Sequence, residues 1–179
     1  MPNVLAYLAD SDLRLSFRLG GWRPPRWFRF WMLSATRLGD GWLWLVAGLV
    51  LLALGGPALR VFAASAVAAA VANVALVLLK RRFRRPRPCA YVRNPVFGVA
   101  PLGLFADDRF SFPSGHTLNA FAIGTPIALQ FPAAAPALLL VAASVGASRV
   151  VLGLHFVTDV LAGSLLGLAI GSAAFWLVG

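Results

Sequence analysis

Long uncharged apolar stretches alternate with short charged breaks along this chain, and the lengths of those stretches predict its elements. Gly41 to Leu59 carries no charge and is closed by Gly55-Gly56-Pro57. Val61 to Leu79 is a second uncharged run, rich in alanine and bounded by Arg60 and Lys80. Phe110 to Ser148 holds no Lys, Arg, Asp or Glu over 39 residues, enough for two spans with a turn between Phe131 and Pro136. A last apolar run extends from about His155 to Val178. A membrane-spanning helix needs roughly 20 apolar residues, so the pattern predicts five spans. Gly163, Gly167 and Gly171 recur every fourth residue in the last one, a spacing that lets another helix approach closely. Asn73, inside the second run, is expected to hydrogen-bond to a neighbouring helix.

The N-terminal third is patterned differently. Residues 26–38 mix Trp27, Phe28, Phe30, Trp31 and Met32 with Arg26, Arg29 and Arg37. Only seven residues separate Arg29 from Arg37, which suits a helix lying in the membrane interface. The alternatives are a sixth span and one long helix that enters at Arg26 and continues past Gly39. Residues 1–24 read as a short surface segment. The expected fold class is therefore all-α, a multi-pass transmembrane helical bundle. It divides into an amphipathic, interfacial segment over 1–40 and a transmembrane core over 41–179.

Composition sharpens this reading. The 179 residues are 60% hydrophobic with a mean hydropathy of +0.81, too apolar for a soluble domain of this length. Sixteen basic residues face six acidic ones for a net charge of +10, and all six acids are Asp, at 10, 12, 40, 107, 108 and 159. On a membrane protein that balance points to anionic lipid headgroups or phosphate substrates. The basic residues flank spans and no nucleic-acid motif is present, so no nucleic-acid partner is expected. Cys89 is the only cysteine, which excludes an intrachain disulfide. The N-terminus lacks a basic start followed by an apolar core, so the first span is expected to serve as the targeting signal.

The chemistry concentrates where charges meet apolar runs. Arg149, His155 and Asp159 sit together between two expected spans, and ionisable groups there mark functional sites. His155 and Asp159 share a helix face at i, i+4. A carboxylate at Nδ1 leaves Nε2 free as nucleophile or base. Arg149 can return to the same place if the chain turns near Gly153, and its planar fork suits a phosphate. With five spans, Lys80 to Phe112 falls on the same membrane face. Lys80, Arg87, Ser114, Gly115 and His116 then join Arg149, His155 and Asp159 at one bundle end, and backbone N–H groups at a helix start add anion-binding capacity. Taken singly, each piece has a plainer role: a polar cluster gluing helices, a basic anchor to anionic lipid, an ordinary helix start, a structural interfacial histidine. Taken together, they make a phosphate-handling set.

Lys80-x6-Arg87-Pro88, Pro113-Ser114-Gly115-His116 and Ser148-Arg149-x5-His155-x3-Asp159 resemble the three-part signature of the type 2 phosphatidic acid phosphatase (PAP2) superfamily, with all eleven fixed positions in order. That superfamily holds membrane lipid phosphatases, polyprenyl-diphosphate phosphatases, glucose-6-phosphatase and vanadium haloperoxidases. The N-terminal third departs from it, since many bacterial members have six spans. The resemblance implies an enzyme of the bacterial inner membrane that hydrolyses a lipid phosphomonoester or diphosphate: phosphatidic acid, phosphatidylglycerophosphate or a polyprenyl diphosphate. His155 would attack phosphorus to form a phosphohistidine, and Asp159 would hold its tautomer. Lys80, Arg87, Arg149, Ser114 and Gly115 would cradle the phosphate. His116 would protonate the leaving oxygen and then activate water. Ser148 is expected to support the loop rather than react. No metal or cofactor is expected, and Asp107 and Asp108 read as a solvated loop.

Two other functions compete with this one. A non-catalytic protein binding anionic lipid would account for the basic runs, and a vanadate-dependent haloperoxidase would share the signature. Orientation is contested as well. Bacterial six-span relatives generally present the site outward. Here Arg14, Arg18, Arg23, Arg26, Arg29 and Arg37 lie outside the catalytic loops yet on the catalytic face of a five-span chain, and the positive-inside rule draws that face to the cytoplasm.

Overall fold

Glycine, proline and aspartate punctuate an otherwise continuous helical pattern, and their positions set the element boundaries. The computed structural model describes residues 4–91 and 109–178. In order, the helices are α1 (Val4–Gly20), α2 (Arg26–Leu38), α3 (Trp42–Leu54), α4 (Pro57–Phe83), α5 (Gly115–Gln130), α6 (Ala135–Val151) and α7 (Val157–Val178). No strand forms among the described residues, apart from one isolated bridge between Pro86 and Phe110.

The N-terminal segment is helical where a short surface segment of unassigned structure was expected. After α1, Pro24-Pro25 separates it from α2, whose outer face exposes Trp27 and Phe30. The long-helix alternative does not hold. Gly41 takes a left-handed φ of 109°, and α2 and α3 meet at a bend of 57°. Gly55 and Gly56 also have positive φ, which ends α3 at Leu54, and Pro57 starts α4 at a position where its missing N–H costs nothing. Arg84 takes the left-handed C-cap of α4, two residues before Pro86.

The expectation of five spans needs correcting on length. Among the described residues three helices are long and apolar enough to cross a membrane: Pro57–Phe83, Pro132–Val151 with its leading 3-10 turn, and Val157–Val178. The bent α2–α3 pair qualifies as a fourth only if it is one broken span. The expected first span shrinks to the 13 residues of α3 because the glycine pair cuts it, and α5 has 16 residues. At 1.5 Å per residue these are about 20 and 24 Å long, short of the roughly 30 Å of a hydrocarbon core.

The core is assembled around α5, which packs against α7, α4 and α6. The three glycines of α7 make the tightest of these contacts. A Cβ at Gly163 would stand 2.8 Å from the Ser114 carbonyl oxygen, at Gly167 2.5 Å from that of Leu118, and at Gly171 2.6 Å from that of Ala122. Small residues continue the seam, with Ala68, Ala72, Leu118, Ala122 and Ala174 forming one buried cluster. Asn73 and Asn119 exchange side-chain hydrogen bonds at 3.4 and 3.3 Å across α4 and α5, as expected for a polar residue inside a bundle. Toward the far end, Leu51, Ala58, Val61 and Ile127 bring α3, α4 and α5 together. The end of α4 and the starts of α5 and α7 therefore gather at one end of the bundle, with the end of α6.

Candidate active site

The loop between α6 and α7 is a tight reversal. Gly153 has a φ of 70°, which lets the N–H groups of Leu154 and His155 both return to the Arg149 carbonyl, at 2.9 and 3.0 Å. The turn expected near Gly153 is thus the device that brings His155 back beside Arg149. His155 is 2% exposed, Arg149 4% and Asp159 0%. The His155 Nδ1 lies 3.6 Å from Asp159 Oδ2, an i, i+4 pair just beyond hydrogen-bond reach. Burial pushes the imidazole down to about 3 against the upward pull of Asp159, and the Arg149 and Arg87 charges add to the lowering. The ring is therefore a neutral base at neutral pH, with Nε2 on the side away from the carboxylate.

A second strand of backbone delivers the other cations. The Ser111 N–H donates to the Arg85 carbonyl at 2.8 Å and its hydroxyl to the Pro86 carbonyl at 3.1 Å. That pairing fixes Arg85-Pro86-Arg87 beside Phe110 and Ser111. Arg87, 6% exposed, donates to the Leu154 carbonyl at 3.3 Å. Arg149 donates to the Thr36 hydroxyl on α2. Both guanidinium charges bear on His155 and on His116. Lys80 stays half-buried on the last turn of α4.

The start of α5 completes the group. The Ser114 N–H donates to the Asp159 carbonyl at 3.0 Å, and its buried hydroxyl pairs with Thr117 Oγ1 at 2.9 Å. At Gly115 a Cβ would meet the end of the Leu76 side chain on α4 at 2.8 Å, so the two helices lie close here. His116 Nε2 lies 2.7 Å from Asp40 Oδ1, and a Cβ at Gly39 would touch the same ring edge at 2.9 Å. Ser148 is fully buried and its hydroxyl is tied to the Val145 carbonyl at 2.6 Å, consistent with a supporting role. Among the described residues no group of three or more His, Cys, Asp or Glu side chains gathers to hold a metal. Asp107 and Asp108 lie outside the described residues.

Several site residues were not anticipated. Arg85 donates to Asp159 Oδ1 at 2.8 Å and to Asp12 Oδ2 at 2.7 Å, and its guanidinium stands 3.9 Å over the Phe156 ring. Asp12, Thr36 and Asp40 come from the N-terminal helices and the turn after α2. The signal available for the aspartates was scarcity. In a chain with six acids, three of those with described surroundings (Asp12, Asp40 and Asp159) contact the site, and Asp10 pairs instead with Arg14. Arg85 carried no signal of its own within the basic run from Lys80 to Arg87.

A profile described as the PAP2 superfamily matches residues 57–179. The chain is 37% identical over 90 residues to lipid A 1-phosphatase of Rhizobium johnstonii, covering 50% of this chain and 36% of that protein. It is 36% identical over 124 residues to decaprenylphosphoryl-5-phosphoribose phosphatase of Mycolicibacterium smegmatis, covering 69% of this chain and 62% of that one. The chain thus spans about a third to two thirds of these curated relatives. Among solved structures, Aquifex aeolicus LpxE superposes with a TM-score of 0.72 at 26% identity, covering 90% of this chain and 93% of that one.

Proposed function

This chain belongs to the PAP2 superfamily, and from that premise we propose that it is an integral membrane lipid phosphatase working through a phosphohistidine. The observation that carries the reading is His155, buried at 2% exposure with its Nδ1 3.6 Å from Asp159 Oδ2. His155 Nε2 attacks phosphorus, and the bond from phosphorus to the lipid oxygen breaks. His116, whose ring Asp40 holds through Nε2, gives the departing oxygen its proton. In the second step water attacks phosphorus, His116 takes the water proton, and the N–P bond breaks to return free His155 and inorganic phosphate. Arg87, Arg149 and Lys80 offset charge on the phosphoryl oxygens, with Ser114 and the Gly115 N–H at the α5 start.

A lipid substrate is supported by the surroundings of the site. An apolar groove of about 450 Å³ between α5, α6 and α7, lined by Ala120, Phe121, Leu138, Leu139 and Leu168 among others, has room for an acyl or prenyl chain. The relatives named above act on different lipid phosphates, so the substrate is set experimentally. Purified protein in detergent should release phosphate from at least one of phosphatidic acid, phosphatidylglycerophosphate, a polyprenyl diphosphate, lipid A or decaprenylphosphoryl-5-phosphoribose phosphate. Orthovanadate, a mimic of five-coordinate phosphorus, should inhibit it, and EDTA should not. Lipid binding without phosphate release across that panel would favour a non-catalytic lipid-binding protein. Loss of activity on chelation would bring a metal into the mechanism. We place the protein in a bacterial inner membrane, in keeping with its long apolar helices.

A further inference from the structure

The first turn of α7 carries the Asp159 carboxylate, yet Phe156, the residue before the helix, has no side-chain oxygen with which to cap it. Another element supplies the caps. The Val157 N–H donates to Ser16 Oγ at 3.0 Å and the Thr158 N–H to Asp12 Oδ1 at 3.1 Å, both on α1. Asp12 is 6% exposed although it lies on a helix at the edge of the bundle. Its Oδ2 accepts from the Thr158 hydroxyl and from Arg85 Nη2 at 2.7 Å. Arg85 spreads its fork between two carboxylates, with Nη1 on Asp159 Oδ1 and on Thr158 Oγ1, each at 2.8 Å. Its flat face rests on Phe156 at 3.9 Å. Asp159 is left with Oδ2, which takes the Phe156 N–H at 2.8 Å and faces His155 Nδ1.

We propose that Asp12 and Arg85 are positioning residues for phosphoryl transfer, an ion-pair relay that aims the Asp159 carboxylate at His155 and keeps it charged for the reaction. The inference rests on His155 being the nucleophile. The physical reason is a balance of charge in a dry site. His155 gains a positive charge when its nitrogen bonds to phosphorus, and Asp159 is the group placed to offset it. A guanidinium on Asp159 alone would cancel that negative charge. Asp12, on the far side of the guanidinium, restores a net charge of −1 to the trio while the fork fixes the carboxylate rotamer. Asp12 also meets the positive end of the α7 dipole, where a carboxylate is favoured.

The test uses the full chain in detergent, with the lipid of the panel above that it cleaves fastest, in mixed micelles, as substrate and inorganic phosphate as competitive inhibitor. Asp12→Asn and Arg85→Gln should each lower kcat by about 10- to 100-fold, the range for removing an outer partner of a functional histidine. KM and the phosphate inhibition constant should stay within about twofold, because the phosphate-binding cations remain. Asp12→Glu should recover part of the loss, and the double variant should be little worse than either single one, as expected of residues acting as a unit. A wild-type kcat in Asp12→Asn would overturn the relay. So would a phosphate inhibition constant that rises as kcat falls, since that assigns both residues to phosphate binding. Ser16→Ala removes an α7 cap and leaves the charges in place, so a loss equal to that of Asp12→Asn would reduce the role of α1 to helix capping. His155→Ala, run alongside, separates the two ideas: if it stays active the nucleophile assignment fails, whatever Asp12→Asn does.

Discussion

At the scale of single residues, the site contains two histidines, each with its own carboxylate. His155 is buried with Asp159 at Nδ1, and His116 is 28% exposed on its side chain with Asp40 at Nε2. The buried one suits a nucleophile, which must be neutral and shielded. The partly exposed one suits a proton carrier, which must exchange with water. His155→Ala should therefore lower turnover by on the order of 10⁴-fold or more while the protein still folds, as judged by thermal unfolding in detergent. Asp159→Asn should approach that loss by favouring the wrong tautomer. His116→Ala should depend on the leaving group. Its effect on a lipid phosphate should reach about 10²- to 10⁴-fold, the span of general acid–base catalysis, and should be much smaller on p-nitrophenyl phosphate, whose leaving oxygen needs no proton. Equal losses on the two substrates would make His116 a phosphate ligand instead.

At the scale of elements, the geometry of the candidate site depends on how closely α5 and α7 approach. Ser114 and His116 start one helix, Asp159 starts the other, and the Ser114 N–H to Asp159 carbonyl bond joins them directly. The glycine ladder of α7 sets that distance. A methyl at Gly167 would collide with backbone, the Leu118 carbonyl and the Ala122 nitrogen, which cannot swing aside as a side chain can. Gly167→Ala should destabilise the protein by about 1–3 kcal/mol, the usual cost of overpacking. It should also depress activity at temperatures where the protein stays folded, because separating the helices displaces Asp159 from Ser114. A thermal scan with parallel turnover measurements checks both, and unchanged values would show that the seam has slack. The ladder's spacing was legible in the sequence, because a period of four on a helix is visible without knowing its partner. That α5 is the partner was not, since the contact joins residues about 45 positions apart.

At the scale of the whole molecule, the N-terminal helices belong to the catalytic end. Asp12 and Ser16 of α1 reach the first turn of α7, Thr36 of α2 reaches Arg149, and Asp40 reaches His116. Arg14, Arg18, Arg23, Arg26, Arg29 and Arg37 come with these helices, whereas Arg60 sits in the first turn of α4, at the opposite end from Lys80. The positive-inside rule then expects the catalytic end to face the cytoplasm. An Arg109→Cys variant with Cys89 replaced should react with a membrane-impermeant maleimide only after the cells are permeabilised. Labelling of intact cells would reverse the orientation and favour an exported lipid as substrate.

The sequence by itself determined the helical class and its long apolar runs, and it singled out, as an expectation, eight residues for a phosphate: Lys80, Arg87, Ser114, Gly115, His116, Arg149, His155 and Asp159. These follow from local properties, namely the length of uncharged runs, i, i+4 spacing and short motifs. Even the turn at Gly153 was foreseeable, since a glycine between Arg149 and His155 is where a reversal costs least. Only the tertiary structure decided that Val4–Gly20 forms a helix against α6 and α7. It alone placed Arg85 between Asp12 and Asp159 and put Asp40 on His116. The physical reason is common to these cases. Each depends on which surfaces meet across 70 or more residues of chain, and a charge such as Asp12 shows no local pattern to say whether it faces water or a buried guanidinium.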